Sequence, residues 1–135
     1  MAEPFLLEIV TPERLLIREE VTEAQIPALS GEIGVRREHA PLIAELGIGV
    51  LSYAGEGRAR HLSVSGGLVE VLRDHVRVLA NTAEHADQID VKRAEEAQRR
   101  ASRRLEAPHL GLDVARALNA LQRAQTRLKA AAMLK

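Results

Sequence analysis

The stretch Ile89-Asp90-Val91-Lys92-Arg93-Ala94 divides this chain into two halves of different character. Before it, short runs of Val, Ile and Leu alternate with polar residues; after it, Ala, Leu and Arg recur at helical spacing. The stretch itself is typical of a helix start, because the Asp90 carboxylate can accept hydrogen bonds from the first turn. Ile89 and Ala94 then hold the two positions of a hydrophobic staple. The helix dipole does not favour a cation at Arg93, so this arginine needs another explanation.

Charge is distributed unevenly along the chain. The 135 residues carry no formal net charge, and their number supports one domain or a small domain with an appendage. Residues 90–135 hold 11 Lys and Arg against 5 Asp and Glu, whereas residues 1–89 hold 8 against 14. The second half (+6) is therefore expected to be attracted to acidic partners, including the first half (−6).

Several classes of protein are disfavoured by the composition. The chain contains no cysteine, which excludes disulfides and thiolate chemistry. No signal-peptide pattern opens it, and its longest uncharged run, Leu46 to Gly55, is too short to span a bilayer. We expect a soluble intracellular protein.

The first half predicts a β domain over residues 1–86. Many short strands separated by turns are typical of a sandwich or flattened barrel. Phe5 and Tyr53 are the only aromatic residues, so the core must be aliphatic. The predicted strands are Phe5–Val10, Arg14–Val21, Glu23–Ile26, Ile48–Tyr53, Arg58–Ser65, Leu68–Leu72 and His75–Ala80, and the predicted turns include Pro27, Ser30-Gly31 and Ser65-Gly66-Gly67.

The second half, residues 87–135, predicts an antiparallel hairpin of two helices. Pro108 to Gly111 interrupts the helical pattern, and Asp113 suits the cap of the second helix. The apolar seams are rich in alanine, and each alanine methyl contributes only about 0.8 kcal/mol when buried. We therefore expect a mobile hairpin that depends on what it docks against. The predicted seam residues are Val91, Ala94, Ala101 and Leu105, then Val114, Ala117, Leu118, Leu121, Ala124, Gln125, Leu128, Ala131 and Ala132.

Catalytic and metal-binding patterns are not evident. The histidines at 39, 61, 75, 85 and 109 form no metal-binding pair and are interpreted as structural or surface residues. Ser65-Gly66-Gly67 lacks the Lys-Ser/Thr of a phosphate loop and is interpreted as a hairpin turn. We predict neither catalytic residues nor a metal site.

Two pairs of arginines suggest an anionic ligand. Arg93 and Arg100 share a face of the first helix, and Arg123 and Arg127 share a face of the second. If the helices are antiparallel, the pairs can converge near Asp90. Like charges so placed repel one another unless an anion joins them, and the arginine fork suits phosphate oxygens. The alternative is a solvated arginine face beside an ordinary helix cap.

Six motifs follow one another in order along the chain. They are Ala24-Gln25-Ile26-Pro27, Ser30-Gly31-Glu32-Ile33-Gly34-Val35, His39-Ala40-Pro41-Leu42, Val64-Ser65-Gly66-Gly67-Leu68-Val69-Glu70-Val71, Val78-Leu79-Ala80-Asn81-Thr82-Ala83-Glu84, and Ile89-Asp90 with Arg93-Ala94. This ordered set resembles the epsilon subunit of the bacterial-type ATP synthase over essentially the whole chain. One departure concerns the loop before the histidine, where Arg37-Glu38 replaces the usual Pro-Gly of the family.

The resemblance implies a fold and a set of partners. It implies a ten-stranded sandwich bound to the gamma subunit of the rotor stalk, with Glu32 and His39 near the c-ring. It also implies a hairpin that extends toward the catalytic alpha and beta subunits and opposes ATP hydrolysis. We expect Arg99, Arg103 and Arg116 to supply the electrostatic part of that contact. The protein would then lie peripherally at the cytoplasmic face of the plasma membrane.

The resemblance also implies a regulatory ATP site, although no cofactor is required. Family members with the motif Ile/Leu-Asp-x-x-Arg-Ala bind ATP at this place without hydrolysing it, which holds the hairpin folded. The matching positions, together with the acid and cations such a site needs, are Glu84, Ile89, Asp90, Arg93, Ala94, Arg100, Arg123 and Arg127.

A nucleic-acid-binding module is the alternative function. Its Arg-rich helices would contact phosphates while the β domain served as a carrier. The acidic first half would repel a phosphate backbone, and the second half contains no aromatic residue for stacking on bases. Both features disfavour a nucleic-acid partner.

Overall fold

The chain forms a β structure followed by two helices. The computed structural model describes residues 2–107 and 109–134. A short 3₁₀ helix, Ala86–Gln88, connects the two parts. The strands are β1 (Phe5–Val10), β2 (Leu15–Val21), β3 (Glu23–Ala28), β4 (Gly31–Val35), β5 (Leu42–Gly55), β6 (Arg58–Val71) and β7 (His75–His85), and the helices are α1 (Val91–Glu106) and α2 (Val114–Ala132).

The strands pair in one hydrogen-bonded sheet of order β2-β1-β7-β6-β5-β3-β4. All neighbours are antiparallel except β1 and β7. The sheet curls so that the end of β2 reaches β5, where the Thr22 N–H donates to the Ala54 carbonyl at 2.8 Å. This closure confirms the predicted sandwich or flattened barrel followed by helices.

The expected count of ten strands is wrong for the described residues, which form seven. β5 and β6 each run for 14 residues, whereas the sequence predicted shorter strands. Ser65-Gly66-Gly67 is a bend inside β6 and not a hairpin turn, because pairing with β5 and β7 continues on both sides. Gly67 has φ +126°, and a Cβ there would lie 1.9 Å from the Leu79 carbonyl oxygen. Only glycine permits this close approach.

Pro27 also differs from expectation, because it lies within β3 and not in a turn. It pairs with Glu32 of β4. The register of β3 with β5 is broken between Gln25 and Ala28, so the N–H that proline lacks is not required there.

The main core is built entirely by strands. It is aliphatic except for Phe5 and Tyr53, as predicted, and its last member along the chain is Ala80. Burial, with the Glu19 carboxylate nearby, raises the pKa of Tyr53 to about 12. None of the main-core residues belongs to α1 or α2.

The hairpin lies folded against the sheet. Asp90 Oδ1 accepts from the Arg93 N–H at 3.0 Å and Asp113 Oδ1 from the Arg116 N–H at 3.1 Å, which confirms both predicted caps. α2 packs on β5 and β6, and α1 packs on α2. Ala130 joins Ile89 in a small separate cluster. No helix in residues 2–107 and 109–134 is both long and apolar enough to cross a membrane.

The helix seams are narrower than predicted. Ala94 and Ala101 of α1, and Ala117 and Ala124 of α2, are buried as expected. Five predicted seam residues are instead exposed, namely Val91, Val114, Leu118, Gln125 and Ala132. The buried stripe is thus made of small residues, which allow close approach and leave the larger side chains at its margin.

Candidate anion-binding groove

A polar strip of the sheet forms the floor of a groove beneath the hairpin. Ser63 pairs with Glu84 across β6 and β7, and Ser65 pairs with Thr82. Cross-strand partners point to the same face, so these four side chains form one surface. All four line the groove. The floor therefore offers three hydroxyl groups and one carboxylate.

The helices form the wall of the same groove. Arg123 and Arg127, four residues apart on α2, line it together with Ala120 and Ala124. Ala97 contributes from α1. The alanines leave a space of about 660 Å³ between hairpin and sheet. That volume is within the usual range for sites that bind small molecules.

An ion pair joins floor and wall. Arg127 Nε donates to Glu84 Oε1 at 2.9 Å, and its second nitrogen donates to Oε2 at 3.4 Å. Both side chains are about two-thirds buried, with 26% and 35% of their surfaces exposed. Such two-point pairing fixes geometry as well as adding attraction. This contact links β7 directly to α2.

The groove carries an excess of positive charge. Three arginines, at 14, 123 and 127, and one glutamate line it, a formal net charge of +2. Arg14 comes from the turn between β1 and β2. Among residues 2–107 and 109–134, neither Arg14 nor Arg123 has a carboxylate within ion-pair distance. The groove can therefore attract an anion.

The two predicted arginine pairs line separate grooves. Arg93 and Arg100 lie with Asp90 along a second groove of about 380 Å³ on α1, which shares no lining residue with the first. Of the two predicted pairs, Arg123 and Arg127 line the groove beneath α2, and Arg93 and Arg100 do not. Ala97 lies one turn after Arg93 on α1 and lines the groove beneath α2. The two grooves therefore lie on neighbouring sides of α1. Ile89 and Ala94 are buried at the start of α1.

The residues that the resemblance places near the c-ring lie on or after β4, the strand at one end of the sheet order. Glu32 is exposed on β4, and His39 follows in the next loop, partly buried. His39 Nδ1 lies 2.8 Å from the Ala40 carbonyl oxygen. In the same loop Arg37 donates to the Pro4 carbonyl at 3.1 Å, and Glu38 takes the left-handed conformation with φ 67°.

Three further arginines point to solvent. Arg99, Arg103 and Arg116 are all exposed. Arg99 and Arg103 each lie two residues from buried Ala101, hence about 200° round the helix from it. They are free of the hairpin's own packing, and a partner can reach them.

Some groove residues were not anticipated from the sequence. Ser63 and Ser65 alternate with Leu62 and Val64, and this period-2 signal could have identified a polar face of β6. Arg14 gives no comparable signal, because its place beside α2 depends on long-range strand order. Of the histidines, His61 Nδ1 lies 2.7 Å from Ser52 Oγ and His75 Nε2 lies 2.6 Å from Glu8 Oε1.

Chains in two larger solved assemblies have a similar fold. A chain of the Euglena gracilis mitochondrial ATP synthase (OSCP/F1/c-ring) superposes with TM-score 0.83 at 23% identity, covering 96% of this chain and 81% of that one. A chain of the Tetrahymena thermophila mitochondrial ATP synthase central stalk and c-ring superposes with TM-score 0.56 at 11% identity, covering 98% and 97%. These similarities show a shared fold.

Sequence comparison identifies the family. The family model of the ATP synthase delta/epsilon chain β-sandwich domain matches residues 4–86, and that of its long α-helix domain matches residues 87–132. The ATP synthase epsilon chain of Solibacter usitatus is 53% identical over 131 residues, which are 97% of this chain and 98% of that protein. The Syntrophomonas wolfei epsilon chain is 48% identical over 127 residues, 93% of each. The chain therefore belongs to the ATP synthase epsilon chain family.

Proposed function

We propose that this protein is a non-catalytic subunit of the central stalk of a proton-translocating ATP synthase. In this role the β domain joins the gamma subunit to the c-ring, with Glu32 and His39 near the ring. Family membership over the whole chain is the observation that carries the proposal. The protein would be held at the cytoplasmic face of the plasma membrane only through the complex.

The hairpin is proposed to regulate ATP hydrolysis. Its contacts with the β domain are an alanine stripe, the small cluster around Ala130, the Gln122 amide on the Ile48 carbonyl at 3.3 Å, and the Glu84–Arg127 pair. Such a unit can detach at modest cost in free energy. Once extended, it would present exposed Arg99, Arg103 and Arg116 to the alpha and beta subunits and oppose hydrolysis.

ATP is the proposed ligand that keeps the hairpin folded. The net positive groove beneath α2 and the arginine groove on α1 both suit phosphate oxygens. A ligand bound only to the folded form stabilises it by mass action. ATP would act as a sensor molecule and not as a substrate.

Titration calorimetry on the isolated protein tests the nucleotide site. We expect ATP to bind with or without Mg²⁺, and Arg93→Ala to weaken binding by about 1.5–3 kcal/mol, the range for a hydrogen bond to a charged group. Arg104→Ala is the matched control, because Arg104 lies farther along α1 and is exposed. Absence of binding at millimolar ATP, or equal loss in both variants, would reject this site.

Co-purification tests the stalk assignment. We expect the protein to be recovered with gamma and the c-ring, and nuclease treatment should not change the recovery. Retention on bulk DNA at physiological salt, without gamma, would favour the nucleic-acid alternative. Bare phosphate contacts weaken steeply with salt, so the salt concentration must be held constant between the two arms.

A further inference from the structure

The turn that carries Arg14 beside the groove is held by three hydrogen bonds. The Thr11 N–H donates to the Arg14 carbonyl at 2.9 Å, and the Arg14 N–H donates back to the Thr11 carbonyl at 3.2 Å. The Thr11 hydroxyl adds a third bond to the Arg14 carbonyl at 3.3 Å. Thr11 is itself buried. The backbone of Arg14 is therefore fixed before any ligand binds.

Strand length brings this turn to the groove. β1 ends at Val10, opposite Leu79 of β7. β7 continues to His85, so its second half passes the β1–β2 turn and contributes Thr82 and Glu84 to the groove floor. The Arg14 side chain lines the same groove as Arg123 and Arg127, although the three come from different parts of the chain.

We propose that Arg14 is the cation by which the β domain holds the anionic ligand of this groove. A polyphosphate would bridge Arg14 on the sheet side and Arg123 or Arg127 on α2. This inference rests on the proposed function and adds a residue to its ligand site. Guanidinium groups suit phosphate oxygens through paired hydrogen bonds, and Arg14 has no carboxylate partner within the described part of the chain.

The position of Arg14 explains how a ligand can bind more tightly when the hairpin is folded. A ligand whose contacts were all kept when the hairpin extends would shift nothing. A ligand shifts the equilibrium only through a contact that exists in one state. Glu84, the other charged groove residue of the β domain, repels phosphate. Arg14 is the cation that the β domain contributes to this groove beside the hydroxyl groups of its floor, so a phosphate held between Arg14 and α2 loses a charged contact when the hairpin leaves.

Binding by Arg14→Gln tests the inference directly. The probes are ATP and inorganic tripolyphosphate, measured by titration calorimetry and by protection of the hairpin from proteolysis. We expect the affinity for both probes to fall about tenfold or more, as for loss of a hydrogen bond to a charged group, and the protection midpoints to move equally. Arg73→Gln is the matched control, because Arg73 is exposed in the β6–β7 turn and lines neither groove.

The outcomes separate this inference from the proposed function. Wild-type affinity in Arg14→Gln for both probes would overturn the inference while leaving ATP binding intact. Binding of tripolyphosphate alone, lost in Arg14→Gln, would support Arg14 and reject the nucleotide assignment. Binding of neither probe by the unmodified protein would reject both. Equal urea midpoints for the variant and the unmodified protein would show that the change leaves the fold intact.

Discussion

At the scale of single residues, Glu38 shows how the loop after β4 holds a residue with a side chain in a left-handed backbone conformation. It adopts the left-handed conformation that favours glycine, with φ 67°. The Glu38 N–H donates to the Arg73 carbonyl at 2.7 Å, and Arg37 pairs with Glu3 at 3.4 Å. These contacts hold a backbone that costs a residue with a Cβ roughly 1–2 kcal/mol.

Glu38→Gly is therefore expected to stabilise the protein. Relief of the left-handed strain exceeds the extra entropy of glycine in the unfolded chain, so the free energy of unfolding should rise by about 0.5–1 kcal/mol. Glu32→Gly is the matched control, since Glu32 is exposed on β4 and should lose about the same amount. Urea unfolding of both variants measures the difference. A loss of stability in Glu38→Gly would show that the loop has no such strain.

Glu8 is one residue that makes the free energy of unfolding depend on pH in the acid range. The hydrogen bond from His75 lowers the pKa of Glu8 from its ordinary value of 4.5; partial burial opposes this, and the charges of His75, Arg77 and Arg18 reinforce it. A carboxyl with a lowered folded pKa stabilises the fold above its unfolded pKa, and this stability is lost as pH falls through the folded pKa.

Glu8→Gln should make the free energy of unfolding depend less on pH in the acid range. Below pH 4.5 the difference in unfolding free energy between the unmodified protein and the variant should shrink, because the carboxylate then becomes protonated in both states. Glu13→Gln, at an exposed turn residue, is the control. Urea midpoints measured from neutral pH down to acid pH give the comparison. Parallel curves for all three proteins would contradict the assigned pair.

Residue-level prediction from sequence was reliable where the interaction is local. The caps at Asp90 and Asp113 depend on atoms three residues away, so the sequence is enough to predict them. The Glu84–Arg127 pair spans 43 residues and could be anticipated only through the family resemblance. Arg14 had neither a local pattern nor a family motif to mark it.

At the scale of elements, glycine signals in the strands were ambiguous. A turn and a bend inside a long strand both require φ values that glycine allows, and Gly66 and Gly67 satisfy either. Which one forms depends on whether neighbouring strands continue past the point. β5 and β7 do continue, so the two predicted strands of β6 are one. The number of strands was therefore not predictable from the local pattern, although the β character was.

The β domain is predicted to fold without the hairpin. Its main core contains only strand residues, so a fragment of residues 1–86 keeps every buried contact of that core. Urea unfolding of the fragment should be cooperative, and it should bind little hydrophobic dye. The full chain is the control. A non-cooperative melt with strong dye binding would show that α2 completes the core.

The outer face of the hairpin is predicted to carry its inhibitory charge. Replacing Arg99, Arg103 and Arg116 by Glu should weaken inhibition of ATP hydrolysis in the assembled complex and remove its salt dependence, because exposed charges are screened by salt. Arg104→Glu tests whether any charge change on α1 has this effect. Inhibition that stays equally strong and equally salt-sensitive after the triple change would place the contact elsewhere.

At the scale of the whole molecule, the uneven charge suits a hairpin with two docking states. The acidic half, at −6, and the basic half, at +6, attract one another when folded. The direct ion pair between them, Glu84 with Arg127, is one part of that attraction. Most of the exposed arginines remain available to another acidic surface. The order of β domain and hairpin was predictable from composition and periodicity, whereas the folded docking of α2 required the structure.

Hydrolysis by the assembled ATP synthase after removal of the hairpin tests the central claim most directly. The comparison is between complexes that carry the full chain and complexes that carry a chain ending at Ile89, with equal subunit content verified in both. The account predicts that ATP hydrolysis rises in the truncated complex while proton pumping per ATP stays largely intact, since the proposed link of the β domain between stalk and ring is kept. Unchanged hydrolysis in a fully assembled truncated complex would contradict the account.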